Sequence, residues 1–170
     1  MQFNHYGGEA AMLAADLVNL TGEFTAADLE PLLASHGIVE TRLSAEEVAD
    51  LADWADRLTP VFGAQDLDER CAKINALLAR TVTRPYISMH DHHPHLHYSV
   101  PGAGAVARIR AVTIAGLAYV VCFASASRLG RCARGRCTTA FVDTSRNGRR
   151  AYCSVRCANN DAVARHRSRS

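Results

Sequence analysis

Apolar residues recur at helical spacing through most of the first eighty positions. Met12, Leu13, Leu17 and Leu20 share one face of a predicted helix over 8–20. Thr25 stands where a helix cap belongs, Leu29, Leu32 and Leu33 follow at helical spacing, and Gly37 ends the run. Ser44-Ala-Glu-Glu47 has the form of a capping box, a hydroxyl at the cap and a carboxylate three residues on. It opens a helix that aligns Val48, Leu51, Trp54, Ala55 and Leu58, with Pro60 set to kink or end it. A fourth helix is predicted over 66–82, with Cys71, Ile74, Leu77 and Leu78 facing inward.

The period then changes. Ile87, Met89, Leu96, Tyr98 and Val100 alternate with polar residues, which predicts two half-buried strands over 86–100. Asp91-His92-His93-Pro94 supplies the turn between them. With Asp91 opposite Pro94, Met89 faces Leu96 and Ile87 faces Tyr98, and all five apolar side chains fall on one buried face. Ser88, His90, His95 and His97 then share the polar face, with His90 directly across from His95. After Pro101-Gly102 and Gly104, a long helix is predicted over 105–128. Between 111 and 124 it is apolar nearly all round, as expected of a central core helix. Gly130 reads as a boundary, giving a helical domain over 1–129 and a small module over 130–170. The fold class is thus mainly α with a small β-hairpin.

Charge divides the chain at nearly the same place. Residues 1–107 carry six basic and fifteen acidic groups; residues 108–170 carry thirteen arginines and two acids, Asp143 and Asp161. An acidic body with a basic tail points to a polyanionic partner at the tail. No charged start followed by an apolar run opens the chain, and the 111–124 run falls short of the about 20 residues that cross a bilayer. The expectation is a cytoplasmic protein with no membrane partner, in which clustered cysteines are metal ligands before they are disulfides.

Four cysteines cluster as Cys132-x4-Cys137 and Cys153-x3-Cys157. Two short-spaced pairs separated by a hairpin's length can deliver an all-thiolate tetrahedron, the shell that zinc prefers. Residues 140–142 read as one strand, Ser145-Arg146-Asn147-Gly148 as an Asn-Gly turn, and 149–153 as the return strand. Ser154 caps a helix running to about His166, whose first turn carries the last two ligands. Knuckle, hairpin and helix together describe a treble-clef-like finger with too small a core to fold without Zn2+. Cys71 and Cys122, each alone in an apolar helix, read as small core residues.

The stretch from Cys132 through Phe141-Val142-Asp143-Thr144-Ser145-Arg146-Asn147 and Arg149-Arg150-Ala151-Tyr152-Cys153-Ser154 to Cys157 closely resembles the CGNR zinc finger. That finger closes bacterial proteins whose N-terminal part is the ABATE domain, described as stress-induced transcription regulators. A looser resemblance to that domain rests on Asp16-Leu-Val-Asn19, Ile74-Asn75-Ala-Leu-Leu78 and His95-Leu-His97-Tyr98. The Cys-Gly-Asn-Arg that names the family is here Cys157-Ala158-Asn159-Asn160, which keeps the ligand and the first asparagine and loses the arginine. Arg165 and Arg167 can compensate for that charge.

The resemblance implies a DNA-binding transcription regulator, with the N-terminal domain serving for sensing of a small-molecule or metal signal or for homodimerisation. Arginine suits such a task because it grips phosphate bidentately and reads guanine edges. Arg146, Arg149 and Arg150 surround the turn, and Arg156, Asn159, Arg165, His166 and Arg167 lie along the last helix. Other uses of this charge are a solvated face, with Arg149 or Arg150 bracing Asp143, and contact with the acidic body. The alternative function is an adaptor whose basic finger docks on an acidic protein surface. His90, His95 and His97 form a candidate second metal or ligand site. No nucleophile elbow, phosphate-binding glycine loop or paired carboxylates on one helix face suggest an enzyme.

Overall fold

The computed structural model describes residues 5–20, 24–38, 42–81, 83–89, 92 and 94–168. Helices α1 (His5–Asn19), α2 (Ala26–Ser35), α3 (Ala45–Leu58) and α4 (Leu67–Ala79) open the fold. They start where local chemistry starts them. The Thr25 amide and hydroxyl both donate to Asp28 at 2.8 Å. Ser44 and Glu47 exchange their bonds reciprocally at 2.9 and 3.2 Å, and Asp66 accepts from the Asp68 amide at 2.8 Å. Leu51, Trp54, Ala55 and Leu58 are buried along α3 as their spacing predicts, while Cys71 and Leu78 of α4 are only half-buried.

Helix α5 (Ala105–Tyr119) is the central element. Its Ile114 and Leu117 pack with Ala11, Ala14, Ala15, Trp54 and Leu58; Ile109 packs with Leu13, Leu17, Leu29, Leu33 and Leu51. Inside this core the Trp54 indole donates to the Thr113 hydroxyl at 3.0 Å, which in turn donates to the Ile109 carbonyl at 2.6 Å. The helix does not run regularly to Arg128 as expected. It widens into a π-type turn over Val120–Ala124, closed by the Ser125 amide on the Val120 carbonyl at 2.9 Å, and a 3-10 turn over Ala126–Arg128 follows. The widening turns Cys122 and Phe123 outward, so Cys122 is exposed rather than a core thiol. Ala105–Ala124 is also longer than the apolar run in the sequence suggested. By length and composition alone it could span a bilayer, but Ile109, Ile114, Leu117 and Val120 are fully buried against neighbouring helices.

Strands β1 (Tyr86–Ser88) and β2 (His95–His97) form the expected antiparallel hairpin, in a register two residues from the expected one. Tyr86 lies opposite His97, Ile87 opposite Leu96, and Ser88 opposite His95. The burial is inverted. Ile87, Met89 and Leu96 are 71%, 58% and 51% exposed, whereas Tyr86, Ser88, His95 and His97 are half-buried. Alternation identifies which side chains share a face, not which face meets the protein, and tyrosine and histidine rings carry enough apolar carbon to take the inner one. The expected His90–His95 pairing lies outside the described residues.

Strands β3 (Leu129–Arg131) and β4 (Ala140–Val142) pair antiparallel. Gly130, read from sequence as a boundary, is the middle of β3, where a Cβ would stand 2.7 Å from the Phe141 ring. Leu129, Ala140 and Val142 belong to the same apolar cluster as α1, α3 and α5. Polar bonds reinforce this seam. The Asn19 side-chain amide exchanges two 2.8 Å bonds with the backbone of Ala140, standing in for a further strand. The buried Arg70 guanidinium donates to the carbonyls of Leu129, at 2.9 Å, and Gly63. Arg131 donates to those of Thr59 and Thr138.

A close approach of two helices sets the first prediction. A Cβ on Gly116 of α5 would lie 2.6 Å from both the Cβ of Ala10 and the amide nitrogen of Ala11 in α1. Backbone cannot swing away as a side chain can, so Gly116→Ala must push the helices apart. Overpacking of about 1–3 kcal/mol at its upper end exceeds the about 1 kcal/mol helix preference of alanine. The expected net loss is about 2 kcal/mol in a denaturant melt; an unchanged midpoint would contradict this packing.

Candidate metal centre

Cys132 follows directly on β3, and Cys137 closes a tight turn in which its amide donates to the Arg134 carbonyl at 2.8 Å. The Cys132 amide donates to the Thr139 carbonyl at 2.9 Å, so this knuckle is the turn of the β3–β4 hairpin. The Ala133 amide reaches the Ala151 carbonyl at 2.8 Å and draws in the segment before Cys153. Ser154 then caps helix α6 (Val155–Arg167) by accepting from the Cys157 amide at 3.2 Å, which fixes the first helical turn. The four sulfurs lie within 4.8 Å of one another, with Cys137–Cys153 at 3.8 Å and Cys153–Cys157 at 3.5 Å. Four Zn–S bonds of about 2.3 Å in a tetrahedron place sulfurs about 3.8 Å apart, so the donor set and its spacing fit zinc.

The thiols differ in their hold on the proton. The Thr139 hydroxyl, 3.2 Å from the Cys137 sulfur, and the Thr139 backbone draw Cys137 down to about 6. Burial, with the neighbouring Cys157 sulfur adding to it, pushes Cys153 up to about 12. The Ser154 hydroxyl lowers Cys157.

One expected element is absent: residues 149–153 form no strand, and β4 pairs with the preceding β3. Side chains occupy the place of the ladder. The buried Asp143 carboxylate accepts from the amides of Ser145 at 2.8 Å and Arg150 at 2.7 Å. The buried Arg128 guanidinium donates to the carbonyls of Asp143 at 2.6 Å and Ser145 at 2.8 Å. Burial alone would raise the Asp143 pKa, but the Ser145 hydroxyl, the two amides and the Arg128 charge outweigh it and hold it below the usual value. The turn at 145–148 forms as expected, with Gly148 at φ +61 and no room for a Cβ beside Arg128, at 3.2 Å. Spacing did not indicate Arg128 or Asn19. The buried Asp143 was legible only as a lone acid among arginines.

The predicted contact residues separate into two groups. Arg150 donates its guanidinium to the carbonyls of Tyr152, at 2.7 Å, and Cys153, and lies 5.1 Å over the Phe141 ring. Arg165 pairs with Asp161 at 3.0 Å, and the Tyr152 hydroxyl donates to the same carboxylate at 2.8 Å. Arg146 and Arg149 stand exposed on the turn, and Arg156, Asn159, His166 and Arg167 stand exposed on α6. Both acids of residues 128–168 are thereby engaged within the finger, and no carboxylate among the described residues pairs with Arg146, Arg149, Arg156 or Arg167. Of α6 itself, only Cys157 is buried.

The reduced chain is expected to hold one zinc, and Cys153→Ser to lose it, as read by elemental analysis. Retention also depends on pH. Near neutrality Cys137, at about 6, is already an anion, while Cys153, at about 12, keeps its proton. Loading must expel that proton, so acid opposes zinc, and more steeply once Cys137 is protonated as well. Zinc transfer to a chromogenic chelator should rise sharply from about pH 7 to about pH 5; a flat profile would contradict thiolate ligation.

Among the curated proteins nothing matches the chain. Residues 128–170 match the model of the CGNR zinc finger family, a span that begins at the buried Arg128 and takes in all four ligands. The four cysteines are therefore the zinc site of a C-terminal segment similar to the CGNR zinc finger.

Proposed function

We propose that the chain is a zinc-dependent, DNA-binding transcription regulator, a binding protein rather than an enzyme. Its finger contacts the duplex, and its N-terminal part, which resembles the ABATE domain, serves for sensing or dimerisation in the cytoplasm. One observation carries this reading. The finger engages both of its own described acids internally and leaves Arg146, Arg149, Arg156 and Arg167 exposed with no carboxylate partner among the described residues. Helix α6 buries only its metal ligand, so nearly its whole surface is open to a partner. A short, metal-fixed helix flanked by a cationic turn suits phosphate contact and entry into a groove. Arg150 and Arg165, each already bonded, contribute to this surface less than their charge suggests.

Binding of the zinc-loaded chain to a mixed-sequence duplex, followed by anisotropy across a salt series, tests the reading. Replacing Arg146 and Arg149 with alanine should weaken binding to all sequences and make the salt slope shallower by about one to two units. Chelation of zinc should abolish binding, because α6 and the turn lose their common anchor. If the double variant binds duplex as the parent does at every salt concentration, the surface does not contact DNA. Affinity for an acidic protein in its place would favour the adaptor reading.

A further inference from the structure

The Nε2 atoms of His95 and His97 stand 2.9 Å apart on the inner face of β2, with ring centres 4.8 Å apart and planes tilted 42°. At this distance one Nε2 can donate its N–H to the other, the roles set by the tautomers of the two rings. The Tyr86 ring packs on His97 at 5.1 Å, and Ser88 lies directly across from His95. Both rings are half-buried, so neither is a freely turning surface side chain.

We propose that His95 and His97 form a second metal site, a bidentate imidazole chelate for a divalent late first-row cation. Residues two apart on a strand project to one face, which is why His-x-His brings two nitrogens together with no help from the rest of the fold. Metal–imidazole bonds of about 2.0–2.1 Å separate two nitrogens by about 3.3 Å in a tetrahedron and about 2.9 Å at a right angle. The two nitrogens stand 2.9 Å apart, within a small side-chain adjustment of either geometry, and imidazole donors suit Ni2+ and Cu2+ as well as zinc. Both Nε2 lone pairs turn to the cation, so the ring that carries its proton on Nε2 shifts to the Nδ1–H tautomer, and both imidazoles bind neutral with no net proton lost. Water completes the shell at this partly exposed face. The acidic N-terminal part, with fifteen acids against six basic groups over residues 1–107, favours the incoming charge. The chain thus offers two donor sets of different character, four soft thiolates in the finger and two neutral imidazoles in the hairpin. This site does not depend on the DNA-binding reading.

Titration of the full-length, zinc-loaded chain with Ni2+ tests it, with zinc content followed in parallel. One further equivalent of nickel should bind while zinc stays in place. His95→Gln and His97→Gln should each weaken nickel by about tenfold or more, as loss of one arm of a chelate requires. Leu96→Ser, which alters the opposite face and spares both rings, should bind nickel like the parent. Imidazole 15N spectra of the unsubstituted chain give a measurement that needs no variant: paramagnetic nickel should broaden the His95 and His97 ring signals before those of His36 and His166. Nickel that enters only by displacing zinc, binds both glutamine variants like the parent, or leaves the two ring signals untouched overturns the site.

Discussion

Helix α6 is thirteen residues long and buries one of them, and that residue is Cys157. No apolar stripe holds it to the protein. Val155 and Val163 are 77% and 50% exposed, and the hydroxyl of Tyr152 on Asp161 is a polar tie. A helix of this length is marginal by itself in water. Its existence and its position both rest on the bonds of Cys153 and Cys157 to a metal that Cys132 and Cys137 also hold. Without the cation, four sulfurs within 4.8 Å cannot all ionise, and Cys153 keeps its proton. Zinc therefore determines whether the arginines of α6 share a frame with those of the 145–148 turn.

That frame is continuous with the helical body. Three arginines turn inward, Arg128 and Arg131 from the basic tail and Arg70 from the acidic body. Arg70 and Arg131 donate across the seam between body and finger, and Arg128 donates to the loop that follows β4. All three meet backbone carbonyls, at the ends of the β3–β4 pair and in the turn after α3. Asn19 does the same for the far edge of β4. Burial lowers the Arg70 pKa, and its Nε has no bonded partner among the described residues. Breaking such a bond would leave a buried charge or a buried carbonyl unmatched, which costs more than the bond itself contributes.

Elements governed by local chemistry were legible in the sequence. The box at Ser44, the caps at Thr25 and Ser154, and the paired cysteines each specify their geometry within four residues or so. What escaped depends on distant partners. The π-type turn after Tyr119 comes just before Leu129 returns to the core formed by α1 and α3, and no pattern within residues 105–128 records that return. The return strand at 149–153 looked sound by its Asn-Gly turn, but Asp143 and Arg128 claim the backbone groups a ladder would use. In the β1–β2 hairpin, alternation correctly grouped Ile87, Met89 and Leu96 against Ser88, His95 and His97. The inner face went to the rings, His97 packing on Tyr86 and His95 on His97, and the aliphatic trio stands outside.

The separation of charge is the remaining constraint, and the seam explains how it survives folding. An acidic body and a basic finger would be expected to neutralise each other. Yet no ion pair among the described residues crosses between them. Asp53 pairs with Arg57 and Asp50 with Arg110 inside the body, and Asp161 pairs with Arg165 inside the finger. Contact between the two parts is instead made by Leu129, Ala140 and Val142 and by hydrogen bonds to carbonyls. Such a seam brings opposite charges into one molecule without spending them on each other. A polyanion approaching this molecule meets repulsion from residues 1–107 and attraction from the turn and α6. The field thus selects one orientation of approach before any specific contact forms.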